Sequence, residues 1–383
     1  MRKTGALSNK DREMKKNSIC CIYNMGTHYR WPIFKAMADN FDIDFCFGQD
    51  GVYTKSIKAF DYDKLPGFTR LLHNRRLFGK FYWQSGALRQ AFKPYRTYVM
   101  LGEAYCLSSW LVVIIARLLG KKTICWTHGW YGREDTLRRV VSKWFYSMFN
   151  EILTYNDYAS KLLVRGGISR KKLHTIANSL DSHKHREMRS RLKKTEIFTS
   201  HFGNDLPVLI YCGRIQKSKR LDMMVEAADM LRNDGVNVNL VIVGKDDEDT
   251  GLPELVEACD LQDRVWLYGP CYDEEKLAEL FFNSALCVSP GNVGLTAVHA
   301  LSFGCPVVTH NDFPYQGPEF ECIRPGITGD FFRHNDIGDL ARIIRKWVCD
   351  TPADRQETAE AAFAEIDSKW NVDYQIDLLK KVI

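Results

Sequence analysis

Short apolar runs alternate with longer amphipathic segments along most of the chain, which predicts β-strands alternating with α-helices. Strand-like runs occur in the first half at 19–23, 41–47, 97–101, 122–127, 152–155 and 173–177, and in the second half at 208–211, 239–243, 265–268, 285–288 and 307–309. Helical patterns lie between them, at 31–38, 107–119, 157–165, 221–231, 253–259, 274–282 and 295–303. This alternation in both halves predicts an α/β protein of two doubly wound domains with a cleft between them.

The chain length and the position of a long polar stretch favour the same division into two domains. A chain of 383 residues is too long for one ordinary core. The polar stretch 183–204, rich in His, Lys and Arg, is interpreted as the linker region. We therefore expect a disordered segment over 1–17, a first domain over 18–204 and a second over 205–365. The amphipathic pattern at the end predicts a helix within 366–383 that packs back on the first domain.

Composition narrows the class of protein. The balance of 45% hydrophobic and 26% charged residues is typical of a folded soluble protein, and a net charge of +6 does not by itself indicate nucleic-acid binding. Twelve scattered cysteines without a CxxC pair indicate free thiols in a reducing compartment. The polar N-terminus lacks the apolar stretch of a secretory signal, and the longest apolar run, 107–119, contains Arg117 and is too short to span a bilayer. We expect a cytoplasmic protein, at most peripheral on the inner face of the plasma membrane.

The segment from Lys64 to Arg96 carries eight basic residues and no Asp or Glu, with aromatic and leucine side chains among them. One interpretation is a solvated basic face over a domain core. The second is a surface that meets anionic lipid headgroups with aromatic anchors. Nucleic acid is a third, but no nucleic-acid-binding motif accompanies the segment.

The stretch from Ala285 to Asn311 predicts one strand–glycine loop–helix–strand unit. Its loop follows a strand of the predicted parallel sheet, at the edge where such sheets bind ligands. Backbone N–H groups at the start of the helix form a site for an anion, for which a diphosphate is the natural candidate. The residues predicted to contact the diphosphate there are Asn292, Val293, Gly294, Leu295 and Thr296.

A second glycine loop follows the strand at 208–211 and leads into a helix. Gly213 is followed by Arg214 and, five residues later, by Lys219, so that both cations could face the cleft. An arginine fork and a lysine point charge beside a helix N-terminus would hold a diphosphate. The alternative is a solvated basic loop.

With these motifs in order, the chain resembles glycosyltransferase family 4, of the two-domain GT-B architecture. The resemblance covers about Ser18 to Ile383 and is carried by four stretches: YCGRIQKSKRLDMMVEAADML, DRVWLYGPCYDEEKLAELFFNSALCVSPG, GLTAVHALSFGCPVV and HTIANSLD. It implies two Rossmann-like domains facing a central cleft, the first for the acceptor and the second for a nucleotide-sugar. It also implies a sugar transfer with retention.

The resemblance also implies residue roles. Arg214 and Lys219 would bind the donor diphosphate and neutralise charge as it leaves, and His128 matches the family histidine that contacts the sugar. Gly26 would let the backbone approach the phosphates, and Glu134 is a candidate for the acceptor. The architecture generally needs no metal, because cationic side chains and a helix dipole neutralise the charge of the leaving diphosphate. No cofactor and no metal are therefore expected.

The donor loop departs from the family pattern. Where the family has two glutamates, this chain has Gly291 and His299. His299 could still bind ribose hydroxyls or a phosphate oxygen, and Asn292 could contact the sugar. Our hypothesis is that Glu319 or Glu321, after the next strand, supplies part of the function of the two missing glutamates. The alternative for this pair is a loop that caps the following helix.

The resemblance, together with the basic aromatic segment 64–96, implies a glycosyltransferase that uses a nucleotide-sugar and a glycan or lipid-linked glycan acceptor, in surface polysaccharide or lipopolysaccharide assembly. Partners would be these substrates and an anionic membrane surface at Lys64–Arg96, without nucleic acid. A nucleotide-sugar 2-epimerase or a sugar phosphorylase of the same fold is one alternative. A non-catalytic nucleotide- or glycan-binding protein, with the lost glutamates as marks of degeneration, is another.

Overall fold

The computed structural model describes residues 18–49, 58–350 and 355–383, so the predicted disordered segment 1–17 lies outside the described residues. The chain forms two compact units. The first comprises Met1–Ile176 with Val372–Ile383, and the second comprises Ala177–Asn371.

The first unit is built on an eight-stranded sheet in the order β4-β3-β2-β1-β5-β6-β7-β8, parallel except for the β3–β4 hairpin. Its strands are β1 Ile19–Tyr23, β2 Ile43–Gly48, β3 Phe68–Arg76, β4 Tyr82–Ser85, β5 Thr97–Leu101, β6 Lys122–Thr127, β7 Glu151–Thr154 and β8 Leu173–Thr175. Its helices are α1 Trp31–Asn40, α2 Ala87–Ala91, α3 Leu107–Leu118, α4 Thr136–Ser147, α5 Asp157–Arg165 and, at the end of the chain, α14 Val372–Val382.

Two hydrophobic layers cover this sheet. Because successive strand residues point to opposite faces, β1 gives Cys20 and Ile22 to one layer and Ile19 and Cys21 to the other. The first layer contains residues of α2 to α5, and the second contains residues of α1 and α14. The predicted C-terminal helix therefore packs in the first unit, against α1.

The second unit is built on a six-stranded parallel sheet in the order β11-β10-β9-β12-β13-β14. Its strands are β9 Val208–Cys212, β10 Asn239–Val243, β11 Val265–Gly269, β12 Leu286–Ser289, β13 Val307–His310 and β14 Gly329–Phe332. Its helices are α6 Ser182–Arg189, α7 Ile197–Phe202, α8 Leu221–Asn233, α9 Leu252–Ala258, α10 Glu274–Asn283, α11 Leu295–Ser302, α12 Ile337–Arg345 with the π-helical turn Lys346–Asp350, and α13 Arg355–Lys369.

The unit boundary differs from the sequence-based one. The division follows Ile176 rather than residue 204, so α6 and α7 lie in the second unit. Their polar composition suggested a linker, but they pack against α10, and α6 also packs against α11. At the other end, the chain returns to the first unit at Val372 rather than 366.

Among the described residues, the elements that the sequence did not predict are the β3–β4 hairpin, α2, α4, β14, α12 and α13. The hairpin lies at the sheet edge, where exposed basic residues interrupt the apolar pattern of the strands. Over the described ranges, no helix has both the length and the apolar character needed to cross a membrane.

Candidate functional site

The predicted donor loops meet at the point where the second sheet reverses its strand order. β9 lies between β10 and β12, so the loops that follow β9 and β12 leave the same edge of the sheet side by side. A backbone hydrogen bond joins them, from the N–H of Gly291 to the carbonyl oxygen of Lys219, at 2.9 Å. The structure thus brings together the two loops that the sequence assigned to the donor.

Gly291 has a steric reason to be glycine. A Cβ at this position would lie 2.2 Å from the carbonyl oxygen of Ser218 and 2.7 Å from the Cα of Lys219. Both atoms belong to the backbone, so they cannot swing away as a side chain could. The loop carrying Lys219 therefore occupies the space that a glutamate side chain would need.

Lys219 reaches across this contact to the neighbouring loop. Its Nζ donates to the carbonyl oxygen and to the side-chain Oδ1 of Asn292, both at 2.8 Å. Burial, followed by the nearby charge of Arg214, lowers the pKa of Lys219 to about 8, while Glu319 opposes this shift. An anion bound here would complete the coordination of an ammonium group that the protein leaves poorly neutralised.

Arg214 is exposed beside Lys219, on a loop whose shape is set by backbone contacts. The hydroxyl of Tyr211 donates to the carbonyl oxygen of Arg214 at 2.9 Å, and the N–H of Gly213 donates to Val243 at 2.9 Å. A Cβ on Gly244 would lie only 1.9 Å from the carbonyl oxygen of Gly213, so the two loops approach as closely as glycine allows.

The amides at the start of α11 are only partly available to an anion. The N–H of Val293 donates to Oε1 of Gln316 at 2.7 Å, so this predicted donor contact is already satisfied inside the protein. The hydroxyl of Thr296 donates to the carbonyl oxygen of Cys212 at 2.9 Å and ties α11 to the end of β9. Gly294 and Leu295 open the first turn, where helical geometry leaves N–H groups without partners inside the helix.

Gln316 holds the donor loop in shape, a role that the sequence did not suggest. Its side chain is buried, accepts from Val293, and donates to Thr309 Oγ1 at 2.9 Å and to the carbonyl oxygen of His310 at 2.8 Å. Thr309 in turn donates to the carbonyl oxygens of Ser289 and Gly291. A glutamine after a strand resembles any surface polar residue in the sequence, so only the fold identifies it.

Glu319 is a buried carboxylate close to this loop. Its residue is 3% exposed, and Oε1 accepts from Nδ2 of Asn178 at 2.7 Å. It lies in the turn Pro318–Cys322, near enough to Lys219 to affect its pKa. Glu321, in the same turn, is half-buried. The structure therefore gives Glu319 an electrostatic link to the donor loops.

His299 is occupied elsewhere in the second unit. Its Nε2 lies 2.7 Å from Oε1 of Glu274, its side chain is 12% exposed, and its ring stacks on His185 at 5.2 Å. His185 contacts the same carboxylate oxygen at 2.8 Å. Burial opposes the effect, but the two imidazoles hold the pKa of Glu274 well below its usual range. The expected contact with ribose would require His299 to leave this arrangement.

This group also bears on the expectation that no metal is needed. Its three ligand atoms lie within 4.8 Å of one another, a spacing that could hold a divalent ion. Glu274 hydrogen-bonds His185 and contacts His299, whose Nε2 is buried without a hydrogen-bond partner. The absence of a metal requirement stays a prediction.

In the first unit, His128 follows β6 and stands exposed between two phenol rings. Its ring centroid lies 4.6 Å from that of Tyr155 and 6.1 Å from that of Tyr131. Desolvation by the surrounding atoms and then the charge of Arg30 lower the pKa of His128 to about 4. The exposed edge remains open to a ligand, and the ring is neutral near pH 7, so it can donate or accept a hydrogen bond.

Arg30 is a second residue that the sequence did not single out. It is buried after β1 and donates to the hydroxyl of Tyr155, and its guanidinium lies 5.0 Å from the Tyr155 ring centroid and 5.7 Å from that of Trp126. Buried cations are costly without compensation, and the faces of aromatic rings supply part of it. The charge of Arg30 adds to desolvation in lowering the pKa of His128.

Two residues predicted in the first unit already have partners inside the protein, and their roles toward a donor or an acceptor stay predictions. The N–H of Gly26 donates to Tyr62 Oη at 3.1 Å, and a Cβ there would lie 2.7 Å from the rings of Phe60 and Tyr62, so packing already explains the glycine. Glu134 is buried and accepts from the N–H groups of Tyr131 and Gly132 at 2.6 and 3.0 Å. It therefore shapes the loop after His128 rather than presenting a free carboxylate to an acceptor.

Sequence comparison shows that part of the chain is similar to proteins named as glycosyltransferases. Residues 193–364 match the family described as glycosyl transferases group 1. The chain is 24% identical over 241 residues to EpsD of Bacillus subtilis (strain 168), which carries the name of a glycosyltransferase; the match covers 60% of this chain and 61% of EpsD. It is 25% identical over 211 residues to alpha-D-kanosaminyltransferase of Streptomyces kanamyceticus, covering 54% and 53%. The chain thus spans only half to three fifths of these curated relatives.

Structural comparison covers nearly the whole chain. The crystal structure of Anabaena Alr3699/HepE in complex with UDP superposes with a TM-score of 0.72 at 14% identity, over 95% of this chain and 99% of that one. A glycosyltransferase from Rickettsia africae gives a TM-score of 0.71 at 16% identity, over 96% and 98%. The predicted fold class is therefore confirmed: this chain has the fold of these neighbours, GT-B, with two Rossmann-like α/β domains.

Proposed function

We propose that the protein is a glycosyltransferase that moves a sugar from a nucleotide-sugar to a glycan or lipid-linked glycan, with retention at the anomeric carbon. The observation that carries the proposal is the pair of cations at the β9–β12 edge. Lys219 and Arg214 stand beside the start of α11, where a diphosphate would meet two positive charges and the amides of the first helical turn.

This arrangement suits departure of a nucleoside diphosphate. As the bond between the sugar and the diphosphate breaks, negative charge grows on the leaving phosphate. Fixed cations and backbone amides stabilise that charge without reorganising. The neutral imidazole of His128 would hydrogen-bond a sugar hydroxyl, as in the family that the sequence resembles. Protein groups supply all of these interactions, so we propose that no metal is required.

The neighbours' ligands make UDP-sugars the first donors to test. HepE has been crystallised with UDP, with UDP and glucose, and with UDP-glucose. For the acceptor, TarM has been crystallised with fondaparinux and alpha-GlcNAc-glycerol, and another neighbour is a lipopolysaccharide outer core galactosyltransferase. We therefore propose a role in surface polysaccharide or lipopolysaccharide assembly, in the cytoplasm and at the inner face of the plasma membrane.

The donor loop argues against a degenerate binding protein. Decay of an active site would leave a loop able to accept many residues at the former glutamate position. Here the backbone of Ser218 and Lys219 fills that space, while Lys219 bonds the adjacent Asn292. Gly291, which stands at the position of the missing glutamate, is thus part of a differently built and closely packed loop.

The proposal is tested by the thermal midpoint in the presence of UDP-, GDP-, dTDP- and CMP-sugars. We expect one nucleotide class, UDP first, to raise the midpoint, because a ligand that binds only the folded state stabilises it by mass action. Nucleotide release with the stabilising donor, with and without lipid-linked glycans, then tests transfer. A donor panel without any stabilisation and without nucleotide release would refute the proposal.

Glu319 is proposed to supply the carboxylate that the donor loop lacks. In the Glu319→Gln protein we expect kcat to fall on the order of a hundredfold, because the buried negative charge near Lys219 is lost while the shape of the side chain is kept. The glutamine Oε1 can still accept from Asn178, so the thermal midpoint should change little. The measurement is kcat with the donor identified above, together with the pH dependence of donor affinity.

The half-buried neighbour Glu321 provides the matched control. Glu321→Gln should leave kcat near that of the wild type. Since Glu319 raises the pKa of Lys219, Glu319→Gln should also move the pH midpoint of donor binding below about 8. Undiminished turnover by Glu319→Gln, or equal losses in both variants, would remove Glu319 from the site.

A further inference from the structure

Helix α4 of the first unit presents an apolar stripe to solvent. Leu137 is 74% exposed and Trp144 is 69% exposed, and Val140 and Val141 are exposed between them. These positions follow the i, i+3, i+4, i+7 spacing of one helix face. The opposite face is already used, because Phe145 and Tyr146 are buried in the unit's core. The stripe is therefore additional to what folding requires.

The tip of the β3–β4 hairpin extends this surface. Leu77 and Phe78 are exposed there, the latter by 64%. Tyr105 connects the two elements: its ring centroid lies 5.8 Å from that of Phe81 on the hairpin and 5.5 Å from the guanidinium carbon of Arg138 on α4. We call the surface formed by Leu77, Phe78, Leu137, Val140, Val141 and Trp144 the basic apolar face.

The charges around this face are almost all positive. Arg75, Arg76 and Lys80 flank the hairpin tip, and Arg138 and Arg139 lie on α4; all five are exposed. Residues 136–150 contain no Asp or Glu. Asp135 caps α4 by accepting from the N–H of Arg138, and Glu134 is buried against its own loop. Exposed leucine and aromatic side chains ringed by cations match a bilayer surface that carries anionic headgroups.

We propose that the basic apolar face docks on an anionic lipid membrane, with Trp144, Leu137 and Phe78 in the headgroup region and the arginines on lipid phosphates. The proposal rests on the proposed function, because a lipid-linked acceptor is met at a membrane. It moves the expected contact from the whole segment 64–96 to the hairpin tip together with α4. A second copy of the chain is a poorer occupant, because two such faces would oppose like charges.

The test is flotation of the full chain with vesicles of phosphatidylcholine alone or with phosphatidylglycerol added. We expect binding only to the anionic vesicles, weakened by salt, because exposed charges are screened. Leu137→Ser/Trp144→Ser should bind about tenfold more weakly through lost apolar burial. Arg138→Gln/Arg139→Gln should bind roughly thirtyfold more weakly, from the attraction that each basic residue contributes.

The control is Met230→Ser/Leu267→Ser, which removes two exposed apolar side chains from the second unit and should bind as the wild type does. Stabilisation by the donor nucleotide, measured on every variant, should be unchanged, so loss of vesicle binding is separable from failure of the proposed transferase function. The proposal is overturned by a wild type that binds no vesicles, by α4 variants that bind normally, or by a concentration-dependent dimer that the α4 variants abolish.

Discussion

Replacing Lys219 by methionine is expected to lower kcat/KM for the nucleotide-sugar by a factor of about 10² to 10³, the range found when one preorganised electrostatic contact to a developing charge is removed. Nζ is positioned by two hydrogen bonds to Asn292, so it is fixed before the donor arrives. Methionine keeps much of the stem but removes the charge and both bonds. Steady-state kinetics with the donor identified by thermal stabilisation measures the loss.

The pH dependence separates loss of charge from loss of shape. The pKa of Lys219 is about 8 in the free protein, and a bound diphosphate favours the ammonium form. Donor affinity of the wild type should therefore fall as pH rises above 8, by up to about tenfold per unit, and the Lys219→Met protein should lack this dependence. Because the pKa is lowered from its unfolded value of about 10.4, this group makes the free protein more stable as pH rises between those two values.

Lys217 offers the matched control, since it is an exposed lysine in the same turn. Lys217→Met should retain the turnover and the pH profile of the wild type. If the two variants lost activity equally, a general effect of loop charge would replace the specific role of Lys219. If the wild-type affinity were flat across pH 8, the titration of Lys219 would not contribute to donor binding.

The location of the donor loops was predictable because it follows from the order of elements. Strands 208–211 and 285–288 were recognised from apolar runs, and their glycine loops had to leave the same edge of a parallel sheet. The observed strands β9 and β12 are neighbours, and Gly291 bonds Lys219 across the junction. Local patterns thus carried information about which segments meet, because sheet topology restricts where loops can lie.

Side-chain partners were much less predictable. The side chain of Gln316 accepts a hydrogen bond from the N–H of Val293, and the hydroxyl of Tyr62 accepts one from the N–H of Gly26. The carboxylate of Glu274 contacts the ring of His299. Each partner lies 23 or more residues away in sequence, and polar residues of these types are common on ordinary surfaces. The family resemblance assigned roles by position alone, so it could not detect that some of these groups were already bonded inside the protein.

The second large effect is expected at Gly291, where restoring the family's glutamate should damage the protein instead of improving it. Even Gly291→Ala places a Cβ 2.2 Å from the carbonyl oxygen of Ser218. The loops must separate, which would break the bond from Gly291 to Lys219 and displace Nζ from Asn292. We expect a loss of about 3 kcal/mol in the free energy of unfolding, as for an overpacked core site, and a larger loss for Gly291→Glu, together with weakened donor binding.

Gly294 supplies the control three residues along the same loop. No atom lies within 4 Å of a Cβ built there, and its φ of −132° is open to other residues. Gly294→Ala should therefore change the free energy of unfolding by less than about 1 kcal/mol. Urea unfolding of the three variants measures the difference. A Gly291→Glu protein as stable as the wild type and more active would show that the two loops are not in contact, and that the glutamate was lost without structural compensation.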